Sequence, residues 1–483
     1  MKILWLFSSF FEVIPWIIRN FADSILLIFL FYIMEQVVIA DRGVYSAGKI
    51  FKIAYPILVS LLMEQMIGMT DTAFLGRVGE VELGAAAIAG IYYVAVFMMG
   101  FGFGIGAQIL MARRNGEGQY REIGDVFYQG LYFMMGLALF AFVLTKVVSP
   151  RLLPAIVSSP RICEASLSYI NWRIFGFFFS FAAVMFRAFF VGTTQTKTLT
   201  LNSMVMVLSN VVFNYILIFG KFGFPKLGIA GAAIGSSLAE LVSLVFFVVY
   251  TWRRVDLGRY GLNRLPRFCM DKLRRILTVS FWTMIQNFIS LSTWFVFFLF
   301  VEHLGERALA VTNIIRNISG LLFMVVAAFG STCSSLVSNL IGAGHEDSVP
   351  TLVRRHVWLA YSIILPFALF FAVFPELILG VYTDIPGLMA AAIPSLWVYC
   401  TTPLLVVPGN IYFSALSGTG NTRKAFMLEL VTLAVYTLYI YVTIERLRLD
   451  VAWCWTSEHV YGSCIFLLCY AYMSRGVWKK ARI

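Results

Sequence analysis

The sequence has few charged residues and carries no recognisable catalytic motif. Only 13% of its 483 residues are Asp, Glu, Lys or Arg, about half of the fraction in a soluble domain. Its four histidines form no HExxH pattern, and its seven cysteines form no CxxC pair. A GxxxxGK[ST] motif is also missing. These absences argue against a soluble enzyme, a metal centre, a disulfide framework and a pump driven directly by ATP.

Long apolar segments recur along the whole chain. Hydrophobic residues make up 60% of it, and the mean hydropathy is +0.84. Twelve segments are long enough for a tilted helix across a bilayer core of about 30 Å. They are too long for barrel strands, so we predict an all-α integral membrane protein of twelve transmembrane helices, with no separate soluble domain. The segments cover residues 52–76, 83–112, 124–148, 165–191, 199–220, 228–252, 274–302, 308–341, 354–374, 388–416, 425–445 and 452–474.

The net charge of +12 could indicate binding to nucleic acid, but its distribution favours membrane topology. Basic residues concentrate in alternate loops, above all in 253–275, which carries eight of them. If the residues before Pro56 are cytoplasmic, the loops and termini on their side carry 23 basic residues and the opposite loops carry nine. Cytoplasmic loops are normally the basic ones. We therefore predict that both ends of the twelve-helix unit are cytoplasmic and that nucleic acid is not a partner.

An internal repeat divides the chain into two halves. Short glycine motifs recur at a constant offset of 226 residues, and a constant offset over more than 100 residues is the signature of a structural repeat. Because six helices per half is an even number, the halves have the same orientation and are related by a pseudo-twofold axis along the membrane normal. Such a pair encloses a central cleft that suits alternating access. The glycine pairs are 79 and 305, 104 and 330, 116 and 342, 118 and 344, and 192 and 418.

The repeat also sets the predicted division of the chain. Residues 1–46 are an N-terminal extension, for which we consider a weak signal peptide, an interfacial segment and sequence upstream of a true start at Met34. We favour a dispensable extension. The predicted units are the first six-helix bundle (47–252), a basic cytoplasmic linker (253–273), the second six-helix bundle (274–475) and a cytoplasmic tail (476–483).

The first apolar segment carries two carboxylates. Glu64 and Asp71 are seven residues apart, which places them on one helix face, about 10 Å apart along the axis. A carboxylate at bilayer depth is costly and normally faces protein or water. For Asp71 we consider an ion pair with Arg77 that only sets geometry, and favour a titratable site for a proton or a cation. Glu64 is either a second relay carboxylate or a hydrogen-bonded packing residue.

Other polar residues lie inside the predicted spans. Asn210 and Asn214, at i and i+4, could coordinate a cation through their amide oxygens or form interhelical hydrogen bonds. Glu240 is one more intramembrane carboxylate. Arg187 and Arg316 could each partner a buried acid, although arginines near helix ends more often extend to the interface. By contrast, we expect the second-half acids Glu302 and Glu429, nearer to helix ends, to be solvated.

Several motifs recur in a specific order along residues 50–475. None of them is decisive alone, and their order, spacing and twofold repetition carry the signal. They are Pro56, Thr70-Asp71-Thr72 with Gly76, Gly104-x-Gly106-x-Gln108, Asn115-Gly116-x-Gly118, Gly192-x-x-x-Thr196-Lys197, Asn210-x-x-x-Asn214, Leu227-Gly228-Ile229-Ala230-Gly231-Ala232-Ala233, Gly342-x-Gly344 and Gly418-Thr419-Gly420.

Together these motifs resemble those of the multidrug and toxic compound extrusion (MATE) family. The resemblance implies a bacterial inner-membrane antiporter that expels cationic or amphipathic compounds in exchange for H⁺ or Na⁺. It places the family's first-helix aspartate at Asp71 and its fifth-helix polar pair at Asn210 and Asn214. NorM-type members also carry acids early in the seventh helix and in the tenth. Because residues 283–288 and 404–408 contain no acid, the pattern is closer to the DinF type, with coupling in the first half.

We therefore predict a secondary active antiporter that works by alternating access, is not an enzyme and needs no cofactor beyond the coupling ion. The predicted coupling residues are Asp71, Glu64, Asn210 and Asn214, with Na⁺ as an alternative to H⁺ at Asp71 and the two asparagines. No structural metal is expected. The partners are a small lipophilic or cationic substrate and the lipid bilayer, and we expect a monomer. The predicted substrate cavity contains Gln65, Glu240, Arg187 and Gln286.

Two alternatives belong to other functional classes. A flippase for lipids or lipid-linked precursors would need a basic cavity for a phosphate head group. Arg187 and Arg316 are too few for that, and Glu64, Asp71 and Glu240 oppose it. A membrane-embedded lipid-modifying enzyme would need a catalytic cluster within the spans, and His303, at the edge of a span, has no such partner nearby in the sequence. The substrate, the choice between H⁺ and Na⁺ and the oligomeric state stay open.

Overall fold

The computed structural model describes residues 45–157 and 159–480, and all regular elements in these two ranges are helical. Nine helices in the described ranges are long and apolar enough to cross a membrane, and up to eleven spans result if each of two bent helix pairs is counted as one. The prediction of an all-α membrane protein is confirmed. The predicted extension over residues 1–46 lies almost entirely outside the described residues and stays a prediction.

Residues 47–254 form the first six predicted segments. Five of these segments are single helices. The fourth is a pair, α4 and α5, which meet at an angle of 50°, a bend that the sequence pattern did not predict. The helices are α1 (Ala47–Leu75), α2 (Glu80–Gly116), α3 (Glu122–Ile156), α4 (Pro160–Arg173), α5 (Gly176–Gly192), α6 (Lys197–Phe219) and α7 (Gly228–Arg254).

Residues 270–474 form the other six segments. The tenth is again a bent pair, α12 and α13, at 45°. Pro403 begins α13, and its missing amide hydrogen and ring explain why the helix breaks there. The helices are α8 (Met270–Glu302), α9 (Glu306–Gly342), α10 (Val349–Val373), α11 (Pro375–Leu379), α12 (Pro386–Thr401), α13 (Pro403–Gly418), α14 (Thr422–Ile440), α15 (Val451–Trp455) and α16 (Ser457–Ser474), with short 3₁₀ turns at Glu346–Ser348 and Val477–Lys480 and a π-helical turn at Tyr441–Arg446.

The helix boundaries reproduce the internal repeat. Helices α2 and α9 both contain 37 residues, and their first residues, Glu80 and Glu306, differ by the repeat offset of 226. The first helices of the two bent pairs, α4 and α12, start at Pro160 and Pro386, which differ by the same offset. The repeat in the sequence is therefore a repeat in the structure.

Two matching hydrogen bonds fix the register of the helices that follow. Thr196 donates from its hydroxyl to the carbonyl of Ile53 at 2.9 Å. Thr422 donates to the carbonyl of Val279, also at 2.9 Å. Both residues of the second bond lie 226 positions after those of the first, so α1 and α6 pack in the same register as α8 and α14.

The two halves meet where α2 and α9 end. A Cβ atom on Gly116 would overlap the carbonyl of Asn339, and one on Gly342 would overlap the carbonyl of Arg113. The two glycines, and likewise Arg113 and Asn339, are related by the repeat offset, so the contact looks alike from either half. Only residues without a side chain permit so close an approach of two backbones.

Hydrogen bonds between the halves continue this junction towards the middle of the helices. Ser338 donates to the carbonyl of Ile109 at 2.7 Å, and Thr283 donates to the carbonyl of Gly102 at 2.7 Å. The contacts therefore lie in the carboxyl-terminal part of α2 and the amino-terminal part of α8. The charge distribution predicts that this joined end is the cytoplasmic one, and that orientation stays a prediction.

Candidate functional site

A cavity of about 540 Å³ lies within the first half of the molecule. It is bounded by α1, α2, α4, α5, α6 and α7, and the second half contributes Met324 of α9. Five small or polar residues of α1 line it, as expected for a helix that carries acids to an aqueous space. The charged and polar lining residues are Ser60, Glu64, Gln65, Asp71, Tyr93, Tyr169, Arg173, Ser180, Arg187, Asn202, Glu240 and Ser243.

Asp71 is held by three neutral donors on two neighbouring helices. Its Oδ1 accepts hydrogen bonds from the amides of Asn214 at 2.5 Å and Asn210 at 3.3 Å, both on α6. Its Oδ2 accepts a bond from the hydroxyl of Ser236 on α7 at 3.0 Å. The predicted grouping of Asp71 with the two asparagines is thus present in the structure. The alternative pairing with Arg77 is not formed.

The two asparagines provide oxygen atoms as well as donors. Both side chains are fully buried, and Asn214 donates to Oδ1 of Asn210 at 3.1 Å. The Oδ1 atom of Asn214 is buried and has no hydrogen-bond partner among the described residues. An orphan amide oxygen beside a carboxylate is a favourable environment for a proton donor or a small cation.

Glu240 forms a bidentate ion pair with Arg173. The guanidinium donates to the two carboxylate oxygens at 2.9 and 2.6 Å, and the hydroxyl of Tyr93 donates to the same oxygens at 3.1 Å. The guanidinium also lies 3.7 Å from the centre of the Tyr93 ring. Gly176 begins α5 beneath this pair, and a Cβ atom there would overlap both charged groups. The pair therefore occupies the bend between α4 and α5.

Glu64 is also neutralised by an arginine. Arg187 donates to its Oε1 at 3.0 Å, and the hydroxyl of Ser60 donates to the same oxygen at 3.1 Å. The side chain of Glu64 is 39% exposed, compared with 15% for Arg187. This pair faces the cavity, so a ligand can reach it more easily than the pair at Glu240.

The three acids of the cavity thus differ in their neighbours. Glu64 and Glu240 each have an arginine partner, whereas Asp71 contacts only amides and a hydroxyl. The cavity consequently has a formal charge of −1 when all five groups are ionised. Asp71 is the acid whose charge the described surroundings do not compensate.

The remaining predicted residues are distributed as follows. Gln65 lines the cavity, whereas Gln286, on α8, is not among its lining residues. Gln286 accepts a hydrogen bond from its neighbour Asn287 at 3.4 Å. Arg316 is exposed and lies 5.5 Å from the ring of Phe298. The roles assigned to these residues stay predictions.

Among the residues that contact the acids of the site, the sequence reasoning missed Arg173 and Ser236, as well as Tyr93. Arg173 is a charged residue inside a predicted span, which is the signal that had singled out Arg187. Ser236 follows the small-residue motif 227–233 on α7, and nothing distinguishes it from its neighbours before the position of Asp71 is known. Contacts between distant segments, and not local pattern, identify them.

The expectation that Glu429 is solvated was wrong. Its side chain is 1% exposed and accepts hydrogen bonds from Ser290 at 2.9 Å and from Tyr461 at 3.0 Å. The reason is that α14 packs between α8 and α16, so this position two turns inside the helix is covered on both sides. Glu302, by contrast, is exposed as expected.

These features define a class of protein, a multi-pass membrane transporter with a polar cavity inside one of two helical halves. The MatE family model matches residues 56–216 and 283–442, two stretches separated by about the repeat offset. The chain therefore belongs to the MatE (MATE) family.

Comparisons with individual proteins agree with this assignment. The chain is 28% identical over 341 residues to a "Probable multidrug resistance protein NorM" from Synechocystis sp., covering 70% of this chain and 74% of that protein. It is 24% identical over 446 residues to a protein of the same name from Thermotoga maritima, covering 90% and 94%. The fold is shared with a solved MOP superfamily transporter from Pyrococcus furiosus, with a TM-score of 0.82, 16% identity and coverage of 90% and 97%.

Proposed function

We propose that this protein is a secondary antiporter that exports cationic or amphipathic organic compounds in exchange for H⁺ or Na⁺. The observation that carries the proposal is the state of Asp71, an acid in a polar cavity whose neighbours are three neutral donors. The names of the relatives, which describe multidrug resistance, support the class of substrate.

The charge of the cavity provides the coupling. With Asp71 ionised, the cavity has a net negative charge and attracts an organic cation. When Asp71 binds a proton or a sodium ion, this attraction is lost and the cation is released. Only such a difference in affinity between two states can drive exchange. Glu64 and Glu240 do not provide it while their arginines neutralise them.

Both ions are compatible with the donors around Asp71. A proton on the carboxyl group can be donated to an amide oxygen of Asn210 or Asn214 after rotation of the amide. A sodium ion would use the same oxygens together with the carboxylate and the hydroxyl of Ser236. The choice between H⁺ and Na⁺ is therefore left to measurement.

The second half supports a pattern closer to the DinF type. Gln286 stands in the region where NorM-type members carry a glutamate, and residues 404–408 contain no acid. This composition is consistent with coupling through Asp71 in the first half and without an acid at the second-half positions of the NorM type. The relatives named NorM do not distinguish the two types.

The junction between the halves supports alternating access. The halves are joined where α2 and α9 end, and the cavity lies nearer to the carboxyl-terminal half of α1, at the other end. With both ends of the helical unit in the cytoplasm of a bacterium, this arrangement corresponds to an outward-open state in the inner membrane. We propose a monomer, since the cavity is completed within one chain.

The test uses purified protein in proteoliposomes loaded with a fluorescent lipophilic cation. A pH gradient and a Na⁺ gradient are imposed separately, and efflux is followed for the wild type, for Asp71→Asn and for Glu302→Gln, an exposed acid that serves as the matched control. We expect efflux with one gradient, its loss in Asp71→Asn and its retention in the control. Full efflux in correctly inserted Asp71→Asn, or no response to either gradient in the wild type, would contradict the proposal.

A further inference from the structure

The second half contains a buried carboxylate that the proposed coupling mechanism does not use. Glu429, on α14, is 1% exposed. Its Oε1 accepts hydrogen bonds from the hydroxyls of Ser290 on α8 and Tyr461 on α16, at 2.9 and 3.0 Å. Its Oε2 lies 3.3 Å from the same tyrosine hydroxyl. Neither donor carries a charge, so this carboxylate resembles Asp71 and not the two acids that have arginine partners.

The described ionisable groups that interact electrostatically with Glu429 are both weak acids. On α16, these are Tyr461 and the thiol of Cys469. Glu458, one turn before Tyr461 on the same face of α16, interacts electrostatically with that tyrosine. In the described part of the chain, no Lys, Arg or His forms an ion pair with Glu429. An uncompensated anion inside a membrane protein costs several kcal/mol, so Glu429 must take up a neutralising ion.

The repeat places this site on the same framework as the first-half site. The counterpart of Glu429 at the offset of 226 is Ser203, and the counterpart of Ser290 is Glu64. In the first half, the carboxylate lies on the first helix and the serine on the fifth. In the second half, the serine lies on the first helix and the carboxylate on the fifth. In the first half, Arg187 neutralises the carboxylate, but the counterpart of Arg187 is Phe413. The second-half carboxylate therefore has a serine hydroxyl beside it but no arginine at the repeat-related position.

A proton fits this site better than a larger ion. The carboxylate has two hydroxyl neighbours and no solvent exposure, whereas a metal ion needs several oxygen ligands in a space of its own. A proton requires no additional volume and can remain on Oε2 while the hydroxyls of Ser290 and Tyr461 bond to Oε1. The described side chains around Glu429 can therefore hold a proton without any further ligand.

Polar groups extend from the site along α16. Tyr436 lies two turns after Glu429 on α14, and its ring centre is 6.2 Å from that of Tyr461. The Tyr436 side chain is 3% exposed, and its hydroxyl lies beside that of Ser457. Neither hydroxyl meets the geometry of a hydrogen bond to a described residue. Unpaired hydroxyls at this depth are expected to bind water or to pass protons. Together with the partly exposed Glu458, they lead from the amino-terminal end of α16 towards Glu429.

We propose that Glu429, with Ser290 and Tyr461, is a proton-binding site of this protein, additional to the ion site at Asp71 and located in the half that lacks the acids of the NorM type. Glu429 takes up a proton through Glu458 and Tyr461 and releases it when the halves rearrange. Binding of the proton does not depend on the function proposed above. Its participation in transport rests on that function.

Infrared difference spectroscopy tests proton binding without transport. Purified protein in lipid is titrated with acid and base while the carbonyl band of protonated carboxylic acids is recorded, and selective ¹³C labelling of glutamate separates Glu from Asp bands. Because every glutamate contributes to this band, the signal of Glu429 is obtained by subtracting the spectra of Glu429→Gln from those of the wild type. We expect a pH-dependent glutamic acid band in that difference, and the same band when Glu429→Gln is added to Asp71→Asn or to the control Glu302→Gln. No band in the difference, or a Glu429 band that does not change with pH, would overturn the proposal.

Tyr461→Phe provides a second route should Glu429→Gln fail to fold. Removing one donor to Oε1 must shift the frequency of the Glu429 band and the midpoint of its titration, while the band itself remains. An unchanged frequency would show that the assigned group is not Glu429. Failure of the efflux test at Asp71 leaves these spectra unaffected, so the two proposals can fail separately.

Discussion

The buried pair of Arg173 and Glu240 allows a quantitative test of the cavity's electrostatics. Their side chains are only 12% and 14% exposed, and the hydroxyl of Tyr93 donates to the same carboxylate oxygens of Glu240 as the guanidinium. Arg173→Gln leaves Glu240 as a buried anion with one neutral donor. Removing one partner of a buried pair costs about 3–5 kcal/mol. We expect this loss in the free energy of unfolding of the single variant.

The double variant Arg173→Gln/Glu240→Gln distinguishes a charge effect from a packing effect. Two amides can bond to each other and leave no buried charge, so we expect the double variant to be more stable than Arg173→Gln alone. The matched control is Asp125→Asn, which opens the pair with Lys272, whose side chains are 36% and 49% exposed. A pair that is so exposed contributes no more than about 1 kcal/mol.

Equilibrium unfolding in mixed micelles, followed by tryptophan fluorescence, measures all of these variants on one scale. The reasoning would be refuted if Arg173→Gln cost no more than Asp125→Asn. It would also be refuted if the loss in the double variant equalled the sum of the losses in Arg173→Gln and in a single Glu240→Gln variant, since that result would mean that the two charges do not interact.

Two further predictions concern the junction and the linker. Gly116→Ala places a Cβ atom against the carbonyl of Asn339, so we expect the free energy of unfolding, measured by heat or denaturant, to fall by about 1–3 kcal/mol. The control Gly136→Ala has open space around its Cβ and should cause no loss. Equal effects of the two substitutions would contradict the close contact at Gly116. Tyr260 lies in the linker, where burial raises the pKa of its hydroxyl above 10.0 despite the opposing effect of Arg259. The folded state then holds this proton more tightly than the unfolded state, so stability is complete below about pH 10 and falls as the pH rises further. Tyr260→Phe should reduce that fall in a series of unfolding measurements at alkaline pH, and an unchanged slope would contradict the assignment.

The sequence was sufficient for the architecture because apolar segments and repeated glycines are local signals. The pairs Gly116 and Gly342, and Gly192 and Gly418, carried the repeat offset that the helix boundaries later reproduced. The grouping of Asp71 with Asn210 was also accessible, because the family resemblance pointed to both residues.

Burial and ionic pairing could not be predicted in the same way. Glu429 was expected in solvent because its position was judged from its distance to a helix end, whereas its burial depends on the packing of α14 against two other helices. The partner of Glu240 is Arg173, 67 residues away in the chain, and no local pattern connects them. The same long-range pair lies at the bend between α4 and α5.

The junction between the halves has a consequence for how the two copies can diverge. It is a contact between like surfaces, as in a dimer with twofold symmetry, now held within one polypeptide. A change at the axis, such as one at Gly116, meets the equivalent region of the other copy at once, so the two copies are constrained together. Away from the axis no such constraint applies, and Asp71 in one half corresponds to Phe297 in the other. A duplicated scaffold of this kind can keep a symmetric contact between its halves while their two interiors diverge.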